Sequence, residues 1–426
     1  MNALTQEKLL VTSIVQRHRC RGCGSYSVEL AVDLGAMPLA GGYLLPQSEF
    51  IRNEQFYPLM IHICNDCSLL QNMQVIPPER LYREYRFSAT TIKPLVDHFE
   101  KYALWMRDRF SPKFVVEFGC NDGILLSPLN RLDIKSLGVD ISENITSIAR
   151  LNGLMVRTGI FDEAMADNIR HEHGLADIVT GSNVFAHVDE PGIVLSAARS
   201  LLHPNGHFCI EVMYAADLLA DLQWDTMYHE HLSFYGLGTL EKLFNRYGFH
   251  VIDAERVPMH AGSMRVVASL NEYEKPSENV FRIKEYEYSI GLDKLETWQR
   301  FGQTVQTKIK TVGRVMEQLS KNYRIWAYGA AGRASMWLNA CNMTYLEAMV
   351  DASPLRAGRL MPGTHTPIVF PTALRSNPPD ILFLTAWNYL EKIRTQEEWY
   401  GGIWIVPGPE LTFFSRSIQP VSNYLG

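Results

Sequence analysis

The chain has 426 residues, 46% of them hydrophobic and 20% charged, with a formal net charge of -6. That composition describes an ordinary globular protein long enough for two or three domains. It lacks the basic surplus expected of a nucleic-acid or anionic-membrane binder, and no apolar run approaches the roughly 20 residues needed to span a bilayer. Near the N-terminus, Gln6, Glu7 and Lys8 precede a short apolar patch without a small-residue cleavage site, so no secretory signal is expected and a cytoplasmic protein is.

The first segment, residues 1–75, holds Cys20-Arg21-Gly22-Cys23-Gly24 and Cys64-Asn65-Asp66-Cys67. Two Cys-x-x-Cys knuckles supply four thiolates, the tetrahedral set that Zn²⁺ prefers. A redox pair or reduced, unliganded turns are the rivals. Two paired copies in a reducing compartment favour a structural zinc held by Cys20, Cys23, Cys64 and Cys67. The stretch between the knuckles, Ala36 to Tyr57, is rich in Gly and Pro and reads as loops.

The second segment, 76–275, alternates strand and helix. Strands are expected at Phe114–Phe118, Ser136–Val139, Ile178–Thr180, His207–Val212, Val251–Val257 and Met264–Ser269, with helices such as Glu143–Asn152 and Gly192–Leu202 between them. The alternation implies a doubly wound parallel sheet. Its first strand runs into Glu117-Phe118-Gly119-Cys120-Asn121-Asp122-Gly123, an acid followed by a glycine-bounded turn. The glycines fall as Gly-x-x-x-Gly. Neither the dinucleotide fingerprint nor a Gly-Lys-Ser/Thr ending is present. A turn with acids and no phosphate-gripping Lys suits a cationic or uncharged adenosyl ligand. Asp140 ends the second strand, placed to accept from both ribose hydroxyls.

Three further clusters stand out. Tyr228-His229-Glu230-His231-Leu232-Ser233-Phe234-Tyr235 packs titratable side chains beyond the fourth strand, where open α/β sheets place ligands. A metal site is disfavoured, because the helical His-Glu-x-x-His spacing is missing. A polar surface loop is the plain alternative, and a general base with orienting neighbours the sharper reading. His260-Ala261-Gly262-Ser263-Met264-Arg265 offers His and Arg to an oxygen-rich ligand. Tyr82-Arg83-Glu84-Tyr85-Arg86-Phe87-Ser88 joins the first two segments, a position suited to the lip of a cleft, or equally to helix surface and aromatic core.

The third segment, 276–426, opens with a charged helical region, 277–322. A second α/β unit follows, with strands at Ile325–Tyr328, Ala348–Asp351, Ile381–Thr385 and Ile403–Val406. Its turn, Gly329-Ala330-Ala331-Gly332-Arg333, puts an arginine where it could meet a phosphate. The expected architecture is thus α/β: a small N-terminal zinc-binding domain, a central Rossmann-like domain suited to an adenosyl ligand and a C-terminal second Rossmann-like domain. Two Rossmann units also evoke a dehydrogenase, but neither turn carries the required fingerprint.

The order of Cys-x-x-Cys pairs, Glu-Phe-Gly-Cys-Asn-Asp-Gly, Asn183-Val184-Phe185-Ala186-His187-Val188 and Tyr-His-Glu-His-Leu-Ser-Phe-Tyr resembles the S-adenosylmethionine-dependent sugar C-methyltransferases. These act on nucleotide-linked keto-deoxysugars. The likeness continues through Tyr328-Gly329-Ala330, Asp351, the run Pro362 to Ile368 and Ala386-Trp387-Asn388. It implies that S-adenosylmethionine lies on Glu117, Gly119, Asn121, Asp122, Gly123 and Asp140, with Asn183 and Phe185 lining the pocket. It implies that Tyr228, Glu230 and His231 face the sugar, and that Tyr82, Tyr85, His260, Arg265 and Arg333 serve the nucleotide sugar. The family often has His-Gly-Gly-Ser where this chain has His260-Ala261-Gly262-Ser263, and another tyrosine near Tyr85 where it has Phe87.

The expected chemistry is removal of a proton beside a ketone by His231, directly or through Tyr228, with Glu230 orienting the base and Tyr228 or His229 holding the oxyanion. The enolate carbon then takes the activated methyl group. An O- or N-methyltransferase and a non-catalytic zinc-containing nucleotide-sugar binder are the alternatives. A modular chain of this kind can work as a monomer, with neither nucleic acid nor membrane as partner.

Overall fold

The structure is a computed structural model that describes residues 14–82 and 85–415. Gln6, Glu7 and Lys8, and Arg83 and Glu84 of the aromatic run, lie outside the described residues. The chain forms two compact units, each built from several stretches: Met1–Glu29, His62–Asp217 and Leu232–Thr297 in the first; Leu30–Ile61, Leu218–His231 and Trp298–Gly426 in the second.

Strands β1 (Val15–Gln16), β2 (Val28–Met37), β3 (Tyr57–Cys64), β4 (Leu70–Asn72) and β5 (Gln74–Val75) come first, with β1 paired antiparallel to β5. The chain passes from one unit to the other along β2 and β3.

The first unit then builds β6 (Phe114–Phe118), β7 (Lys135–Asp140), β8 (Val156–Thr158), β9 (Ala176–Ser182), β10 (Leu202–Met213), β11 (Ser233–Phe234), β12 (His250–Val257) and β13 (Ser263–Ser269). Strand β11 pairs with β4. The others form one sheet in the order β12-β13-β10-β9-β6-β7-β8. Strands β6 to β10 run parallel, and β13 is antiparallel to both β10 and β12. Phe114–Phe118 is buried at every position, as a strand with helices on both faces must be. On one face Leu95, Phe99, Tyr102 and Met106 of helix Lys93–Phe110 belong to a core with Val115, Ile178, Cys209 and Val267. Elsewhere Phe118 of β6 and Phe208 of β10 pack ring to ring with each other and with Phe161, Phe185 and Phe244. Strand order reverses between β6 and β9, so the turn after β6 opens at the switch point where such sheets bind ligands.

The second unit repeats the plan. Strands β14 (Ile325–Tyr328), β15 (Ala348–Val350), β16 (Ile368–Val369), β17 (Ile381–Leu384), β18 (Ile403–Val406) and β19 (Thr412–Phe414) form a sheet in the order β16-β15-β14-β17-β18-β19. All but β19 are parallel. Both sheets therefore place their first strand between their second and fourth.

The sequence reading did not anticipate β1 to β5 or β11, nor β8, β16 and β19, which are strands of two or three residues at sheet edges. The helical region 277–322 consists of two helices, Glu278–Ser289 and Leu295–Ser320. Gly291 separates them at φ +63°, a conformation a continuing helix cannot use. No helix among the described residues is long and apolar enough to cross a membrane.

Candidate metal, cofactor and catalytic sites

The two knuckles meet. The four Sγ atoms of Cys20, Cys23, Cys64 and Cys67 lie within 4.8 Å of one another. Cys20–Cys67 and Cys23–Cys64 are each 3.5 Å apart. A disulfide needs about 2.05 Å, whereas thiolates around one zinc at about 2.3 Å sit about 3.7 Å apart. Each knuckle closes with an amide four residues on: Gly24 N–H to the Cys20 carbonyl and Ser68 N–H to the Cys64 carbonyl, both 2.8 Å. Gly24 and Ser68 are both left-handed, at φ +78° and +63°. Gln71 donates to Cys20 Sγ at 3.2 Å, a partner no spacing rule would have found. The donor set and spacing fit a closed structural zinc site.

The turn after β6 is tightly packed. Gly119 has φ +65°, and a Cβ there would lie 2.4 Å from Val184 Cγ2. The Asp140 carboxylate accepts the Asn121 amide at 3.0 Å and the Ser142 amide at 2.9 Å. Burial raises the pKa of Asp140, the two amides partly opposing it. Burial also pushes Glu117 well up, reinforced by the charges of Asp140 and Asp122. Glu117 Oε2, Asp122 Oδ1, Ser182 Oγ and Asn183 Oδ1 are buried without a hydrogen-bond partner in the chain. Orphaned acceptors among acids call for a cationic ligand with N–H and O–H donors. A sulfonium bearing an amino acid and a ribose meets that demand, so these residues fit S-adenosylmethionine.

The remaining expected cofactor and substrate residues have these surroundings. Phe185 is wholly buried, stacked with Tyr235 and edge-on to Phe118 and Phe208. Asn121 and Asp122 turn to the preceding segment: Asn121 accepts the Ala89 amide and donates to the Phe87 carbonyl, while Asp122 accepts from the Ser88 and Thr90 hydroxyls. Tyr82 meets Tyr85 edge-on, and its hydroxyl lies 3.0 Å from His187 Nδ1. His187 was noted within its motif but given no role. His260 and Ala261 adopt φ +52° and +70°, so Ala261 holds a left-handed conformation that a glycine takes without strain. Arg265 is buried against Glu211, at 2.6 Å, and Glu255, at 2.7 Å, with its guanidinium over Tyr102 and Trp105.

The segment 224–231 belongs to the second unit. His231 Nδ1 lies 2.5 Å from the Thr226 carbonyl. A carbonyl only accepts, so Nδ1 carries the proton and the neutral ring keeps its basic lone pair on Nε2. The Tyr228 ring lies over His231, centroids 4.1 Å apart. Burial, then the Glu230 charge, pushes the Tyr228 phenol well above its ordinary pKa, so it stays a neutral donor. His229 is a different case. Its Nε2 meets the Pro58 carbonyl at 3.2 Å, and burial lowers its pKa to about 4. Its one N–H at neutral pH is therefore committed to backbone.

Burial raises Glu230 to about 7, although the Gly41 amide opposes the shift. A carboxyl whose folded pKa exceeds its unfolded one binds protons better when folded, so its ionisation destabilises the fold as pH rises. Between about pH 4.5 and 7 the loss should reach about 3 kcal/mol. Glu230→Gln, similar in shape but neutral, should flatten that part of the Tm–pH curve and melt higher than the parent at pH 8. An unchanged curve would show that Glu230 is not the group responsible.

Arg333 is not left open to a phosphate. It donates to Asp225 and to Gln223, each at 3.0 Å, and lies over the Trp387 ring. The turn it follows is covered too. The Tyr43 hydroxyl donates to the Ala330 carbonyl at 2.5 Å. A Cβ on Gly332 would sit 2.7 Å from Tyr228 Cζ.

Residues 20–82 match a zinc binding domain, 82–254 a methyltransferase domain, and 258–409 a C-methyltransferase C-terminal domain. The chain is 32% identical over 405 residues to the C-methyltransferase NovU of Streptomyces niveus, covering 92% of this chain and 95% of that one. The chain belongs to the C-methyltransferase family. It is an S-adenosylmethionine-dependent enzyme with a zinc-binding N-terminal domain. Carbon, not oxygen or nitrogen, is thus the methyl acceptor, and the non-catalytic alternative falls away. The ubiquinone biosynthesis O-methyltransferase of Cupriavidus pinatubonensis shares 30% identity over 103 residues, 24% of this chain and 41% of that one. Among solved structures, the CcbJ methyltransferase of Streptomyces caelestis covers 40% of this chain and 88% of its own, at 17% identity and TM-score 0.33. The magnesium protoporphyrin IX methyltransferase of Synechocystis with bound SAH covers 41% and 82%, at 16% and 0.33.

Proposed function

We propose that this C-methyltransferase acts on the ring carbon beside the ketone of a nucleotide-diphosphate keto-deoxysugar, through an enolate formed by His231. The observation that carries the reading is the hydrogen bond from His231 Nδ1 to the Thr226 carbonyl, which fixes the tautomer of a general base. The substrate class rests on the full-length resemblance in motif order.

A carbon beside a ketone becomes nucleophilic only when a proton leaves it. His231 Nε2 takes that proton. The charge develops on the ketone oxygen, and Tyr228, kept neutral by burial, donates to it. His229 is spent on Pro58, so of the two donors considered Tyr228 is the one retained. S-adenosylmethionine supplies the activated methyl group, held by Asp140, Glu117 and the Gly119–Gly123 turn. The zinc takes no part in these steps and keeps the N-terminal domain folded.

The test uses methyl-¹³C S-adenosylmethionine and a panel of thymidine- and guanosine-diphospho-4-keto-6-deoxyhexoses. The expected product shows a carbon-bound methyl by NMR. In D₂O with S-adenosylhomocysteine present, the proton beside the ketone should exchange. A methyl on oxygen, or turnover with no such exchange, would overturn the reading.

A further inference from the structure

We propose that Asp225 and Gly332 are positioning residues for the base. In this inference, which rests on the reading above, the second Rossmann-like unit is the scaffold that holds Tyr228 and His231 and seats no phosphate on its glycine turn.

The two units share one local design. Asp140 accepts the amides of Asn121 and Ser142; Asp351 accepts those of Ala330, at 2.7 Å, and Ser353, at 2.8 Å. Gly119 N–H reaches the Val139 carbonyl at 2.7 Å, and Gly329 N–H the Val350 carbonyl at 2.8 Å. What differs is the surroundings. Around the first turn, buried acceptors have no partner in the chain. Around the second, protein fills the place. Tyr228 stands against Gly332, Tyr43 caps the Ala330 carbonyl, and Arg356 at 3.1 Å pairs with Asp351. In a dinucleotide fold, glycines here let the backbone approach a pyrophosphate. In this chain the missing side chain of Gly332 admits an aromatic ring.

Asp225 is the pin. It is 1% exposed and accepts three donors: Arg333 at 3.0 Å, Trp337 Nε1 at 2.9 Å and Trp387 Nε1 at 2.8 Å. Arg333 and Trp337 lie on helix Gly332–Ala340, which leaves the turn. The next residue after Asp225 is Thr226, whose carbonyl holds His231 Nδ1. A buried carboxylate is stable only with its donors in place, so the loop has one seat. The spacing from helix to Asp225, to Thr226, to His231 sets where Nε2 lies.

The experiment compares the zinc-loaded full chain with Asp225→Asn and Gly332→Ala, using hydrogen–deuterium exchange, calorimetry with S-adenosylhomocysteine and kinetics on the sugar-nucleotide panel. Asp225→Asn should speed exchange at least about tenfold within 222–232 and leave 114–140 and 381–406 as in the parent. In both variants kcat should fall about 10²-fold, with KM for the sugar nucleotide and Kd for S-adenosylhomocysteine within about threefold. Gly332→Ala should cost nothing further in a Tyr228→Ala background, because the clash is gone. Unchanged exchange in 222–232 would overturn the inference, as would a rise spread over all of 325–406, or a Gly332→Ala effect that persists without the Tyr228 ring. If the parent methylates no member of the panel, the proposed substrate fails while the exchange measurement still decides the anchor.

Discussion

His231→Asn should lower methylation by about 10³-fold while S-adenosylhomocysteine binds as in the parent. Proton transfer by a positioned side chain is worth about 10²–10⁴ in rate. Asn can still donate to the Thr226 carbonyl that now receives Nδ1–H, so the loop keeps that hydrogen bond. Asn cannot accept a proton near neutral pH. The loss should therefore fall on kcat, and exchange of the proton beside the ketone should drop by a similar factor. Tyr228→Phe should cost less, about 10²-fold, because it removes one oxyanion donor and keeps the ring that covers Gly332. The pair of variants separates roles. If His231→Asn still exchanged the proton while Tyr228→Phe did not, the base would be the tyrosine.

Stripping the metal should have the largest effect on stability. The chain should carry one equivalent of zinc by elemental analysis. A chelator at neutral pH should open 15–75 to proteolysis and lower the first thermal transition. Structural zinc in small sites contributes on the order of 10 kcal/mol, and here four buried or half-buried sulfurs would be left crowded within 4.8 Å. Cys67→Ser should behave like the chelated protein. Affinity should fall as pH drops, because each ligand must lose its proton before it binds. A parent that melts identically with and without chelator, at full zinc loss, would refute a structural role.

Much of this was legible in the residues. Phe114–Phe118 and Ile403–Val406 are short apolar runs bounded by turn residues, and both form strands in mainly parallel sheets. Paired cysteines at fixed spacing announced a metal, because four thiolates have few other reasons to be paired. Strand β8 was missed because Val156–Thr158 is short and only half-buried, so it has no apolar pattern. Where the helical region 277–322 divides was not legible, because one glycine in a charged helical stretch is a weak signal.

The site was less legible where it depends on distant partners. Arg333 follows a glycine turn and reads as a phosphate ligand from its neighbours alone. The residue that takes it, Asp225, is 108 positions away. Tyr43 reaches Ala330 across 287 positions and lies in a stretch read as loop. Tyr82 and His187 are likewise 105 apart. Local pattern cannot carry such pairings, because it records which face an element hides and not what meets it there.

Arg21 ties two of these places together. It lies between the first two cysteines, fully buried at its side chain, and its backbone amide donates to Gln71, which itself donates to Cys20 Sγ. Its guanidinium reaches the carbonyl of Leu232, the residue next to His231, and the carbonyl of Asn72, each at 2.7 Å. The metal knuckle and the chain at Leu232 are thus moored to one cation. Loosening the metal's grip on Cys20 and Cys23 should slacken that mooring before the domain itself gives way.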